Sequence, residues 1–534
     1  MKFMRYMDID GYGLGRRPDS SQRHAERKNG MKKNGYQLLG CVWLWAAVLV
    51  CGCGSPSRTA VWNEAESYVE KTENSAEEEK SGAEETGGHA EETGPEESIV
   101  TVPEETEGRE NSAEEPNGSI GGEEDSAAAA ERPKVRGIYV TGAMAGTANM
   151  DNLIDLVERT ELNALVIDIK NDEGYVVCDM EVPMVQEIGS VKRYVRDMPA
   201  LVQKCKEKNI YLIARIVAFK DPFLAEAKPE WSLHNADGTV FRDKDGLAWV
   251  NPYEKQVWDY LVEIAEGSID LGFDEVQFDY IRFSTDKGMS QLDFGADAHK
   301  KAKEDVITEF AAYAAQRIHE KGAAVSADVY GVVIDSRVDQ QIVGQNYMDL
   351  AQQLDYLSPM VYPSHYGPNN YNIPIPDAQP YDTVLAAMQA SKKVLSGVMK
   401  AEAENDAAAQ NQEAVPGSVS GNAAPGSDVS GNDVSGNGIF GNDAGTEPET
   451  AEEMTAEEIA ALVPADGVKA DVRPWLQDFT ASWVKGHIKY GPEQIREQIQ
   501  AVYDAGYEEW ILWNAANRYT EGGLSGPEGQ QGGE

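Results

Sequence analysis

Between Arg132 and Asn517, short runs rich in Val, Ile and aromatic residues alternate with amphipathic helical stretches, and few architectures accommodate that alternation. The runs are "RGIYVTG" (136–142), "ALVIDIK" (164–170), "YLIARIV" (211–217), "EVQFDYIRF" (275–283), "AAVSADVYG" (323–331), "LDYLSPMVY" (354–362), "VRPWLQDF" (472–479) and "EEWILWNAAN" (508–517). Between them lie helical patterns such as "MDNLIDLVERTEL" and "PEQIREQIQAVYDAG", with others expected at 253–267, 297–321, 346–354 and 381–400. Strand-like runs separated by helices indicate βαβ units and a parallel sheet. Eight runs spread over about 320 residues, once a low-complexity insert is set aside, suit an α/β fold of the (β/α)8 TIM-barrel type. An open doubly wound sheet is the competing architecture. It calls for a glycine-rich phosphate loop after the first strand, and "VTGAMAGTANM" lacks that spacing.

The chain outside these runs has a different character. Of its 534 residues, 91 are acidic and 47 are Lys or Arg, a net charge of −44 that argues against a nucleic-acid partner. Residues 56–131 are dominated by Glu, Gly, Ser and Ala and read as a disordered acidic linker, because they cannot bury enough apolar surface to offset ordering entropy. Ahead of them, "MKKNGYQLLGCVWLWAAVLVCGCGS" has two lysines, an apolar run from Leu38 to Val50 and then small residues, the layout of a secretory signal within residues 1–55. "LVCGC" resembles a bacterial lipobox, which implies lipidation at Cys53 and attachment to the outer face of the cytoplasmic membrane. A retained N-terminal anchor helix is the alternative, and the apolar run is short for one. Either way the domain at 132–520 is expected outside the cytoplasm.

The insert at 401–466, with its recurring "VSGN", follows the sixth helix and precedes the seventh strand. Such αβ connections lie at the N-terminal face of a barrel, away from active sites, so removing 405–460 is expected to leave activity intact. Residues 521–534 read as a flexible tail. Only Cys178 and Cys205 fall in the folded part, and nothing in their spacing demands a bridge.

Side chains alternate along a strand. Gln277, Asp279 and Ile281 therefore share one face of the fourth run, while Val276, Phe278 and Tyr280 share the other. The apolar set suits helices, which turns Asp279 into the barrel. The same reasoning groups Ser326, Asp328 and Tyr330, then Leu476 and Asp478, then Val166, Asp168 and Lys170. Four strands thus offer a carboxylate near one rim. Arg215, Arg282 and Lys170 are cations that could serve as structural partners or, with Asp168, as substrate-binding groups. Two carboxyl groups flanking a glycosidic bond are enough for hydrolysis, at ~5–5.5 Å for retention and ~6.5–9.5 Å for inversion of configuration.

Aromatic and polar residues near the same rim suit sugar binding, since ring faces stack on pyranose C–H surfaces. Trp231 and Trp249 lie in the long segment after the third strand, and Tyr362 and His365 follow the sixth. Trp475, Trp513 and Asn514 mark the last two strands, with Trp475 and Trp510 also suited to the core. No H-E-x-x-H, paired C-x-x-C or nucleophile elbow is present, so no metal site and no cofactor is expected.

"VRGIYVTG", "ALVIDIKNDEG", "FDEVQFDYIRF", "SADVYG", "LSPMVYPSHY", "YDTVLAAM", "RPWLQDF" and "WILWNAANRYT" together resemble a bacterial barrel family of glycoside hydrolases long catalogued as a domain of unknown function. The likeness runs in order from about 134 to 520. That family is in turn similar to the α-amylase-like clan. The resemblance implies Asp279 as nucleophile, Asp328 as general acid/base and Asp478 as a stabiliser of substrate hydroxyls or the transition state. Asp328 stands where that clan usually carries Glu. The expected function is hydrolysis of an extracellular or cell-wall polysaccharide, with a non-catalytic glycan-binding surface lipoprotein as the alternative.

Overall fold

The computed structural model describes residues 132–399 and 454–526. The signal and lipobox reading, Cys53, the acidic linker and most of the insert lie outside those residues. Within them, β1 (Arg136–Val140), β2 (Ala164–Lys170), β3 (Tyr211–Val217), β4 (Glu275–Asp279), β5 (Ala324–Tyr330) and β6 (Tyr356–Met360) pair in sequence, all parallel. The seventh position is shared by β7 (Asp471–Val472) and β8 (Trp475–Gln477), and β9 (Trp510–Trp513) pairs with both β8 and β1 to close the ring. Closure rules out the open doubly wound sheet. Pro474 lacks an N–H for the ladder, which accounts for the break between β7 and β8.

The helices that follow the strands include α1 (Met150–Arg159), α2 (Met198–Lys206), α3 (Lys255–Asp270), α4 (Lys303–Glu320), α5 (Tyr347–Ala351), α6 (Pro380–Leu395) and α7 (Pro492–Asp504). After β9 a short 3-10 turn, Glu521–Gly523, takes the eighth place, and Glu521 pairs with Arg159 of α1. The β4 pattern sorts as alternation predicts. Phe278 meets Phe310 of α4 edge-on at 5.2 Å. The inner face carries Gln277, whose Nε2 donates to Ser358 Oγ of β6 at 3.0 Å, and Glu275, which accepts from Ser326 Oγ at 2.6 Å.

The barrel floor is ionic. Arg473 is fully buried, its Nη1 2.9 Å from Glu275 Oε1, its Nε 2.9 Å from Glu509 Oε2, and its guanidinium over the Tyr356 ring. Breaking such an ion set by removing the cation strands buried carboxylates, at a cost of about 3–5 kcal/mol.

Three local expectations need correction. A register shift between Asp168 and Lys170 takes Lys170 off the face that Asp168 occupies; its buried ammonium donates to Val217 O at 2.7 Å and pairs with Asp221 at 3.0 Å. Tyr280 does not continue the outer face, because β4 ends at Asp279 and Tyr280 has φ +49°. The end of the insert is not all low-complexity chain. Thr455 caps a helix over Ala456–Ala460 that packs on α6 and buries Ile459. Cys178 and Cys205 are both free and buried, and burial pushes their thiols up to about 12 and about 11.

Candidate active site

Asp168, Arg215 and Asp279 form one bonded set and Asp328 and Trp475 a second, and the two interact electrostatically on the inner face, where barrel enzymes act. Each comes from a different strand. Arg215 is the hub: its Nη1 donates to Asp168 Oδ1 at 2.6 Å, and its Nη2 and Nε donate to Asp279 Oδ2 at 2.5 and 3.0 Å. Asp168 also accepts from Tyr139 of β1, whose hydroxyl lies 2.6 Å from Oδ2. The other Asp279 oxygen accepts from the Tyr280 amide at 2.6 Å. The left-handed turn at Tyr280 directs that N–H back toward the carboxylate of the preceding residue.

Asp328 has a different environment. Its Oδ1 accepts from the Trp475 indole at 2.6 Å, and no cation bonds to it among the described residues. Burial pushes its carboxyl well above the usual range, and the neighbouring Asp279 charge pushes the same way; the Trp475 hydrogen bond opposes both. Burial also raises Asp168, against the pull of Arg215 and Tyr139. Of these two raised carboxyls only Asp328 lacks a bond from Arg215, and it stands beside Asp279, which receives charge-assisted bonds from that guanidinium. That division is the one general acid catalysis with a second carboxylate requires.

Arg215 also lies 5.4 Å from the Trp513 ring centre, and Trp513 stacks on Tyr139 at 4.0 Å. Trp475 meets both rings edge-on. These buried aromatics pack around the ion set and keep water from it, which strengthens each interaction within it.

The remaining expected site residues divide into separate groups. Asp478 stands apart from the central carboxylates in its bonding: its oxygens accept from Thr520 N at 2.8 Å and Thr520 Oγ1 at 2.6 Å. Burial raises it to about 6, against those two bonds. On the seventh strand Trp475 reaches the site through its bond to Asp328, while Gln477 is bonded to Asp377 and to the Ser364 amide. Asn514 donates to Asp478 O and accepts from Ala516 N, shaping the turn after β9. Arg282 lies over the rings of Tyr330, Tyr280 and Trp249 at 4.4, 4.8 and 5.3 Å. Trp249 is buried and its indole donates to Asp243, whereas Trp231 is half-buried beside Lys228. Lys170 is locked in its pair with Asp221.

His365 is buried, its Nδ1 3.0 Å from Ser364 Oγ, and burial pulls it down to about 3, so it is neutral at physiological pH. Its ring and that of Tyr362 meet edge-on at 5.1 Å, and both approach Phe479. Phe479 and Trp483, stacked at 6.0 Å, extend this aromatic wall. Sequence reasoning missed both, along with Tyr139. The signal for Tyr139 was present, since an aromatic with a polar tip sits in an otherwise aliphatic first strand. Among the described residues no cluster of His, Cys, Asp and Glu could hold a metal ion.

Comparison with known proteins identifies a family. A family described as "Putative glycosyl hydrolase domain" matches residues 137–405 and 441–519. A hypothetical protein from Ruminiclostridium thermocellum is 40% identical, over 36% of this chain and 97% of that one, with a TM-score of 0.34. The PgaB (BpsB) glycoside hydrolase domain from Bordetella bronchiseptica is 11% identical over 72% and 94% of the two chains, with a TM-score of 0.44. The spore cortex-lytic enzyme SleL from Bacillus megaterium is 9% identical over 73% and 72%, with a TM-score of 0.36. Comparison with curated proteins gives no match. With the family's pattern spanning the whole barrel on both sides of the insert, this chain belongs to that glycosyl hydrolase domain family.

Proposed function

We propose that the domain hydrolyses O-glycosidic bonds in an extracellular or cell-wall polysaccharide, with Asp328 as general acid and Asp279 as nucleophile or base. The observation that carries this reading is the contrast between two buried neighbours. Asp328 favours its proton and has an indole N–H as its partner, whereas Asp279 is held by Arg215. In the first step the Asp328 proton passes to the glycosidic oxygen as the C–O bond breaks and its electron pair stays with the leaving group. Asp279 supplies electrons to the anomeric carbon, directly or by deprotonating a water. The aromatic wall at Tyr362, Phe479 and Trp483 suits stacking on sugar rings. Asp478, bonded to Thr520, is assigned to holding the segment after β9.

The test is a reducing-sugar assay on a polysaccharide panel that includes cell-wall glycans. Wild type should release sugar, and Asp279→Asn and Asp328→Asn should release far less while keeping the wild-type fold.

A second reading, a glycan-binding barrel without turnover, is favoured by one feature: Arg215 ion-pairs with both Asp168 and Asp279. It expects binding without release of sugar, and equal binding by Asp279→Asn. For location, we propose export and lipidation at Cys53, supported by the lysines, apolar run and "LVCGC" that precede the acidic linker.

A further inference from the structure

We infer that Trp475 is a positioning residue that fixes the proton of Asp328 on Oδ2 and so makes that oxygen the donor to the leaving group. This inference rests on Asp328 being the acid. An indole N–H can only donate, so Asp328 Oδ1, 2.6 Å from Trp475 Nε1, must accept. In a neutral carboxyl group the carbonyl oxygen is the stronger acceptor. The hydroxyl therefore falls to Oδ2, which accepts no hydrogen bond among the described residues.

Trp475 is well held for this task and poorly placed for any other. It is 1% exposed, which leaves no face for a sugar. Its backbone pairs with Met360 on one side and Ile511 on the other, and its carbonyl accepts from Val361 N at 3.0 Å. Tyr139 and Trp513 contact its ring edge-on, with centroids at 6.4 and 5.5 Å. Rotation of the indole would collide with both rings, so the N–H direction is set by packing. This differs from the ligand-stacking role that an aromatic at this rim suggests from sequence.

The hydrogen bond also tunes the acid. It stabilises the carboxylate form, so its loss leaves Asp328 protonated to higher pH. In Trp475→Phe the alkaline limb of the kcat/KM profile should move up in pH while the proton loses its fixed position.

The experiment has two arms, both on the full chain. The first needs no substrate. Of the indole resonances in a 15N-tryptophan spectrum, the one that Trp475→Phe removes should shift with pH in wild type and stay fixed in Asp328→Asn. A Trp475 resonance that ignores pH in wild type overturns the inference. If Trp475→Phe does not fold, some indole resonance must still titrate in wild type and cease to do so in Asp328→Asn; none doing so is equally contrary.

The second arm uses paired phenyl and 2,4-dinitrophenyl glycosides of glucose, galactose and N-acetylglucosamine. On the pair that wild type cleaves, Trp475→Phe should lose about 10-fold or more in kcat on the phenyl glycoside, whose leaving group needs protonation. It should lose little on the dinitrophenyl glycoside, with KM near wild type on both. Equal losses on both, with an unmoved alkaline limb, overturn the positioning role. Wild-type rates from Asp328→Asn on the phenyl glycoside would instead overturn Asp328 as the acid, and so separate the two failures.

Discussion

Asp279 and Asp328 stand on adjacent strands but meet opposite partners, and their expected mutant phenotypes differ accordingly. Asp279→Asn keeps the shape yet removes the negative charge that Arg215 holds, so kcat should fall by at least ~10⁴-fold, while Arg215 keeps its pair with Asp168 and the domain stays folded, at reduced stability. Asp328→Asn should cost ~10²–10⁴-fold on substrates with poor leaving groups, with much of the rate retained on dinitrophenyl glycosides. Asp478 makes a prediction about stability. Its carboxyl is held at about 6 in the fold against 3.8 ordinarily, so the folded state binds the proton more tightly. Stability from this group is therefore greatest below the unfolded value and is lost as pH rises through about 6. Asp478→Asn keeps an acceptor for Thr520 without the charge. Relative to wild type it should gain stability between pH 4 and pH 7, by about 2–3 kcal/mol, as read by denaturation at the two pH values. No such gain would mean that Asp478 is solvated in the fold.

At the scale of elements, the break between β7 and β8 has energetic consequences. Arg473 occupies it and neutralises Glu275 from β4 and Glu509 next to β9, joining three sides of the barrel floor. Arg473→Met should destabilise the domain by about 3–5 kcal/mol in urea denaturation; a loss below about 1 kcal/mol would show that the carboxylates find other partners or water. The strands themselves were legible because both faces of a parallel barrel are covered, so buried strands such as β2 and β5 read as near-continuous apolar runs. Alternation correctly turned Asp168, Asp279 and Asp328 inward. On the seventh strand it grouped Leu476 with Asp478, whereas the side chain bonded to the inward Asp328 is that of Trp475. It also misplaced Lys170, because a register shift is set by pairing with β3 and leaves no mark in a single strand's sequence. The same limit hid the Arg215 hub: which carboxylates a guanidinium reaches depends on cross-strand register, not on spacing along the chain.

For the whole molecule, a (β/α)8 barrel carries its active residues at one face and its αβ connections at the other. The insert connects α6 to β7, and αβ connections lie opposite the active face of a barrel; the described turns that precede β7, Ala456–Ala460, belong to the packed domain. Deleting 405–450 should therefore leave activity and melting temperature near wild type, whereas extending the deletion through 460 exposes the α6 surface that Ile459 covers and should lower stability. An inactive but folded 405–450 deletion would place the insert in the active site. Cys53→Ser should move the protein from the membrane fraction to the soluble one; an unchanged distribution would reject lipidation. The central claim is that the neighbouring carboxyls Asp279 and Asp328 cleave a glycosidic bond. Its most direct test is sugar release from a cell-wall and extracellular polysaccharide panel by wild type, Asp279→Asn and Asp328→Asn, with each variant's fold checked by circular dichroism. The account predicts release by wild type and its near-complete loss in both folded variants; release at wild-type rates by either one would contradict it.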